Sequence, residues 1–248
     1  MKHFISIFFI IINIFSVFAQ DAYYYNRIVK ETVREGVLVF YENTNKAIYW
    51  DLLDTQKQKQ EMRMPEGYES FGGEVRILSS NKAKLAIYFK NDNQLSFTRD
   101  ITGKNFFVTD NTLSIDWKLE SETQKIDRFL CNKATANIRG RDWTVWYTSE
   151  IPVYYGPWKF YGLPGLIVKA EESTGQFAFN LTKIEKNTEH YKDTSINMED
   201  YETVTLKKFE ELLEESWQNF AVSLNLRPLD DGKRNGIELI YEWEEESK

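Results

Sequence analysis

Cysteine and histidine are nearly missing from this 248-residue chain. Cys131 is the sole cysteine, and of two histidines only His190 lies beyond the first three residues. One cysteine cannot close an internal disulfide, and one Cys with one His cannot furnish a structural zinc site. They leave a single conceivable thiol–imidazole pair, Cys131 with His190. A Ser-His-Asp triad would need the same His190 and has no Gly-x-Ser-x-Gly elbow to place its serine. A lone cysteine is most simply a buried, inert thiol, with mixed-disulfide formation as its functional alternative. Basic residues are also in deficit, 31 Lys and Arg against 38 Asp and Glu, for a formal net charge of −7. No basic stripe is available to neutralise phosphates, so nucleic acid is not expected as a partner.

Long apolar runs are missing too, with one exception. MKHFISIFFIIINIFSVFAQ has Lys2 in a short basic head, an apolar run from Phe4 to Phe18, and small or β-branched residues at Val17 and Ala19. This reads as a secretory signal peptide over 1–19, cut between Ala19 and Gln20. The rival reading is an uncleaved anchor, but Asn13 interrupts the run and the V-x-A site ends it. No cysteine near the cut could carry a lipid. The expectation is an exported chain, 20–248, forming a single β domain with no membrane span after cleavage. With 42% hydrophobic and 15% aromatic residues, its stability must come from its core.

From Gly36 onward the chain reads as β. Val37–Tyr41 and Ala47–Asp51 flank a turn at Asn43–Lys46, and KLAIYFKNDNQLSFT repeats the pattern around Asn91–Asn93. Leu113, Ile115, Trp117 and Leu119 alternate with polar residues, as do Phe177, Phe179 and Leu181 after a turn at Ser173–Gly175. Strict alternation marks strands with one buried face, hence an antiparallel sheet. Short strands at steady spacing predict a mainly β fold, a curved antiparallel sheet or partial β-barrel. Two polar connections, Asp54–Gly73 and Asn187–Asp200, interrupt it. A late amphipathic helix is predicted from Leu206, Phe209, Leu213, Trp217 and Phe220, with Thr205 as N-cap. A last strand is expected at Ile237–Trp243.

GPWKFYGLPGLIVKA, from Gly156 to Ala170, is the densest stretch of turn-formers and aromatics. Gly156-Pro157 makes one corner and Gly162-Leu163-Pro164-Gly165 another. Pro164 pushes Leu163 to an extended conformation, and Gly165 suits the third position of a type II turn. Between the corners, Trp158, Lys159, Phe160 and Tyr161 sit on a short, stiff bridge. They either pack the end of a barrel or present a ligand or partner loop.

The order of motifs resembles the GLPGLI family. After a signal peptide come Trp-x-Leu at 117–119, Cys-x-Lys-Ala at 131–134, Trp-x-x-Trp-Tyr-Thr at 143–148, Ile-Pro-Val at 151–153, Gly-Pro-x-Lys-Phe at 156–160 and Gly-Leu-Pro-Gly-Leu-Ile at 162–167. Phe129-Leu130 stand where the family usually has Gly-Tyr, and Asn235-Gly236-Ile237-Glu238-Leu239 replaces Asn-Pro-Ile-Glu-Leu. The resemblance implies an exported protein of Gram-negative bacteria with no assigned activity, encoded near TonB-dependent outer-membrane receptors.

Other chemistry is thin. Asp116, Glu150, Glu171, Glu172 and Glu238 are carboxylates near strands or strand ends, and Glu171 and Glu172, being adjacent, point to opposite faces. DDGKRNGIELIYE echoes a calcium loop at Asp231, Asn235, Gly236 and Glu242, but Lys233 occupies a ligand position. No metal and no cofactor are expected. The functional expectation is a non-enzymatic envelope protein binding a peptide, a lipid or an outer-membrane receptor assembly. The alternative is a peptide or glycan hydrolase using carboxylates at the barrel mouth. No sorting domain follows the expected last strand, which favours the periplasm over the cell exterior.

Overall fold

A computed structural model describes residues 20–41, 45–52, 68–69, 87–91, 94–188, 197–224, 227–228, 234 and 236–245. The signal peptide, His190, Asp231, Lys233 and Asn235 lie outside the described residues, as do most of Asp54–Gly73 and residues 189–196.

The chain is mainly β. Its strands are β1 (Gln20–Val29), β2 (Thr32–Tyr41), β3 (Lys46–Leu52), β4 (Tyr68–Glu69), β5 (Ile87–Asn91), β6 (Gln94–Ile101), β7 (Lys104–Asp110), β8 (Lys118–Ile126), β9 (Phe129–Ile138), β10 (Arg141–Thr148), β11 (Leu166–Glu172), β12 (Phe177–Thr188), β13 (Glu202–Thr205) and β14 (Arg227–Pro228). Twelve of them form one sheet in the order β13-β7-β6-β5-β3-β2-β1-β12-β11-β10-β9-β8, while β14 pairs with β4. All pairs in the large sheet are antiparallel except β13 with β7. Hairpin chemistry sets several joins. Thr102-Gly103 and Arg139-Gly140 both have positive φ at each residue, the conformation a tight two-residue turn requires.

The sheet is curled, and chain length demonstrates it. β7 and β8 stand ten places apart in the strand order, which in a flat sheet is roughly 48 Å at ~4.8 Å per strand. Residues 111–117 join them, a link that reaches roughly 28 Å at full extension. The two ends must therefore curve towards each other. They do not close into a barrel, since β13 and β8 remain unpaired with one another.

This link corrects the strand reading of 111–117. Leu113, Ile115 and Trp117 do turn inward onto the core, which produces the alternation, but the segment crosses between sheet ends and pairs with no strand. Leu119 is exposed. The strand expected at Ile237–Trp243 is also absent. Residues 236–241 are irregular, with Leu239 N–H donating to the Arg139 carbonyl (2.8 Å), and a short helix α2 (Glu242–Glu245) follows.

The concave face carries the main core, drawn from both halves of the sheet: Tyr23, Tyr25, Tyr49, Tyr88 and Phe97 with Trp143, Trp158, Phe160 and Phe179. Gly36 on β2 faces this side opposite Asp51; a Cβ there would lie 1.9 Å from the Tyr49 hydroxyl, so the missing side chain makes room for that ring. The helix α1 (Leu206–Ser223) begins where expected, with the Thr205 side chain accepting from Lys208 N–H (3.3 Å). Leu206, Phe209 and Leu213 dock on the core, Phe209 edge-on to Phe106 at 5.7 Å. Trp217 and Phe220 meet edge-on further along the helix. No helix among the described residues is long and apolar enough to cross a membrane.

Candidate functional site

The aromatic loop between β10 and β11 folds as a small hairpin. Gly156 N–H donates to the Phe160 carbonyl (2.9 Å), Gly162 N–H to the Tyr154 carbonyl (2.8 Å), and Tyr155 bridges Tyr161. This turns the tip inward. Trp158, Lys159 and Phe160 are at most 1% exposed. Phe160 meets Trp143 edge-on at 4.9 Å and Trp158 at 5.3 Å. Tyr161, partly buried, ties down the 111–117 link: its hydroxyl donates to the Leu113 carbonyl (2.6 Å), and Trp117 Nε1 donates to its carbonyl (2.8 Å). Gly156, Pro157, Leu163 and Gly165 are buried, Gly162 and Pro164 exposed.

The reason for Gly165 differs from the one expected. Its φ is +157°, away from the conformation of a type II turn, and it closes a tight turn by donating to the Leu163 carbonyl (2.9 Å). A Cβ at this position would lie 2.1 Å from the Thr148 carbonyl oxygen. Glycine is there because two backbones touch.

Lys159 is the centre of a buried charge cluster. Its Nζ donates to Asp110 Oδ2 (3.0 Å) and to both oxygens of Glu238 (2.7 and 2.9 Å). Arg139, in the left-handed turn after β9 (φ +47°), grips Asp110 with two bonds (2.8 and 2.7 Å), and also reaches Glu238 (2.6 Å) and Glu242 (2.9 and 3.0 Å). Asp110 ends β7 and Arg139 follows β9, nine places away in the sheet. The cluster is thus a clasp across the gap in the curl.

The electrostatics follow from the contacts. Burial pushes the Asp110 carboxyl up, but the Lys159 charge and the bonds from Arg139 outweigh it and hold it down at about 2. Burial likewise opposes the Arg139 charge, and its hydrogen bonds to Asp110 and Glu242 with the charge of Glu238 more than restore it. Beside the clasp, burial pushes the Glu210 carboxyl up against a hydrogen bond from Tyr241.

Residues 137–169 match a family described as "Protein of unknown function (Porph_ging)". That stretch carries Arg139, Arg141, Lys159 and the whole aromatic loop. No curated protein matches the chain. Two solved structures, described as "Structure of PNGF-II in P21 space group" and "Structure of PNGF-II in C2 space group", align with TM-score 0.50 and 15% identity over 80% of this chain. They share 34% and 33% of their own length with it, so this chain spans about a third of those proteins. At that identity the likeness is one of fold. A third, the crystal structure of an uncharacterized conserved protein from Thermus thermophilus, aligns at TM-score 0.42 with 6% identity, over 76% of this chain and 91% of that one.

Of the five carboxylates singled out from the sequence, only Glu238 joins the clasp. Asp116 is exposed. Glu150 accepts from Leu130 N–H (3.1 Å), and Glu171 makes a surface pair with Lys169. Glu172, on the opposite face from Glu171, is buried. It accepts from Arg141 (3.2 Å) and from the N–H groups of Thr174 (3.0 Å) and Gln176 (2.7 Å), which organises the β11–β12 turn. Among the described residues no group of three or more His, Cys, Asp or Glu could hold a metal ion.

Cys131 belongs to a separate cluster with Phe129, Trp146 and Val168. It is fully buried, and burial pushes its thiol up to about 11. Thiolate is the reactive form. Iodoacetamide at pH 8 should therefore label the native protein far more slowly than the urea-unfolded chain; equal rates would show that Cys131 is accessible.

Among the acids and bases missed in the sequence are Arg139 and Asp110 of the clasp and a second interior group, Arg27, Asp51 and Arg99. Each of Asp110, Arg27, Asp51 and Arg99 continues the inward alternation of its own strand, after Phe106 and Val108, Tyr23 and Tyr25, Ala47 and Tyr49, and Leu95 and Phe97.

Proposed function

We propose that this chain is an exported, non-enzymatic binding or accessory protein of the GLPGLI type, acting in the periplasm on a peptide, a lipid or a TonB-dependent outer-membrane receptor assembly. Six ordered motifs support the family reading, and the match over 137–169 falls on the motif-rich part of the chain. One observation carries the non-enzymatic part. The buried acids of the site are committed: Asp110 and Glu238 are shared between Lys159 and Arg139, and Asp110 is held ionised. A carboxylate so held is neither a proton donor nor a ready nucleophile. Cys131 is buried with its thiol pushed up to about 11, which leaves little thiolate to act as a nucleophile.

A second reading, a hydrolase using carboxylates, is favoured by Glu210, whose raised carboxyl lies beside Tyr241 and Glu238. A carboxyl raised by burial beside a second acid is an arrangement that acid–base catalysis can draw on. Incubation of purified protein with peptide and glycan libraries separates the two. Unchanged libraries, together with in-cell crosslinking to an outer-membrane receptor, are expected. Turnover that disappears in Glu210→Gln would replace the binding reading with the hydrolase.

A further inference from the structure

Among the described residues, the second interior group has more positive charge than its neighbours neutralise. Alternation places Arg27 on β1, Asp51 on β3, Tyr88 on β5 and Arg99 on β6 along the concave face, within the run β6-β5-β3-β2-β1 of the sheet. Arg27 pairs with Asp51, their side chains 14% and 5% exposed. Arg99 faces no carboxylate at ion-pair distance among the described residues. It donates to the Tyr88 hydroxyl (2.5 Å) and the Thr98 carbonyl (2.9 Å), and its guanidinium lies 4.8 Å from the Phe97 ring centre and 5.1 Å from that of Tyr88. Asp51, already bonded to Arg27, is the carboxylate whose charge both guanidiniums feel.

Two atoms of the group are also left over. Arg27 Nε and Asp51 Oδ1 are buried and have no hydrogen-bond partner among the described residues. Buried polar atoms are normally satisfied, and each exception calls for an occupant. Two guanidiniums against one carboxylate leave a single positive charge, set among Tyr88, Phe97 and Phe179, the last 5.8 Å from Arg27.

We infer that this group is a binding site for a monocarboxylate with an apolar body. A carboxylate matches the planar fork of a guanidinium and would give Arg99 a counter-charge and Arg27 Nε an acceptor. One negative charge balances the group, whereas a phosphate dianion would overshoot it beside Asp51. The three rings supply the apolar surround. Two sources share this chemistry, a peptide C-terminus and a fatty acid. The inference rests on the reading that the protein binds its ligand unchanged, and it specifies where.

The test is titration calorimetry on the mature chain with octanoate, with acetyl-Ala-Phe bearing a free C-terminus, and with the same peptide amidated. Binding of at least one carboxylate is expected, with no binding of the amide. Arg99→Met, checked for folding by thermal melting, should weaken it at least tenfold, and Arg99→Lys should retain part of the affinity. Octanoate alone binding identifies a lipid source, and the free peptide alone a peptide one. Absence of binding to both carboxylates, equal binding of the amide, or full affinity in folded Arg99→Met overturns the site. If Arg99→Met does not fold, undiminished affinity in Arg99→Lys overturns it. Hydrolysis of the bound peptide would instead refute the non-enzymatic reading and leave the site standing. Receptor capture with no carboxylate binding would do the reverse.

Discussion

Replacement of Arg139 by methionine should lower the unfolding free energy by about 3–5 kcal/mol in denaturant melts, the loss typical of breaking a buried ion pair from one side. Methionine keeps most of the apolar stem and occupies the same left-handed turn position, so the backbone term is nearly constant. What disappears is the fork that holds Asp110 twice and also bonds Glu238 and Glu242. Asp110 has no exposed side-chain surface, so it cannot recover those bonds from water. Adding Asp110→Asn should return part of the loss, giving a coupling energy of at least ~1 kcal/mol in a double-mutant cycle; additive effects would show that the two do not act as a unit. Acid provides a second readout. The folded carboxyl is held at about 2, below its unfolded value of about 3.9. A depressed pKa contributes stability that is complete above the unfolded value and is lost as pH falls through the folded one. The native protein should lose this contribution between about pH 4 and 2, and Arg139→Met, with the Asp110 carboxyl no longer held so low, should show a smaller loss over that range.

Gly165→Ala should be the most damaging change in the aromatic loop, costing about 3 kcal/mol or more or preventing folding. The added methyl would meet the Thr148 carbonyl oxygen at 2.1 Å, its carbon at 2.7 Å and Ser149 Cα at 3.0 Å. All three are backbone atoms where β10 hands over to the loop, and none can swing aside as a side chain would. Thr148 pairs with Leu166, so relief requires parting β10 from β11. Gly162→Ala is the control. Its φ of +90° is also unfavourable, but the nearest atom to an added Cβ is 3.8 Å away, and about 1–2 kcal/mol is expected. Pro164→Ala, at an exposed corner, should cost less than about 1 kcal/mol. If Gly162→Ala proves worse than Gly165→Ala, conformation and not close approach decides this turn.

Much of the sheet was legible because its information is local. Alternation and turn chemistry located the hairpins around 43–46, 91–93 and 173–175, and Thr205 capped α1 as its spacing implied. The 111–117 link misled because a segment lying against a core alternates whether or not it has a strand partner; pairing is a property of neighbours, not of period. The Ile237–Trp243 stretch misled for a related reason, since Glu238 and Glu242 are placed by Arg139 and Lys159 and not by a ladder. Lys159 was read as part of a bridge whose direction the sequence could not give. Its inward turn depends on acids far away along the chain. The buried charges did leave a trace. Asp110, Arg27, Asp51 and Arg99 each sit two residues beyond an inward aromatic or aliphatic, where a solvent-facing charge would break register. Which of them meet is set by the curl.

The clasp also joins parts of the chain that emerge at different times during synthesis. Asp110, Arg139 and Lys159 are translated well before Glu238 and Glu242, which lie 79 residues from Lys159 and 103 from Arg139, respectively. Until those acids emerge, two cations must share Asp110, and the growing chain carries an unbalanced charge just where its sheet ends have to meet. Bringing the ends together early would bury that imbalance. The closing of the curl thus draws on acids far downstream of the cations they neutralise.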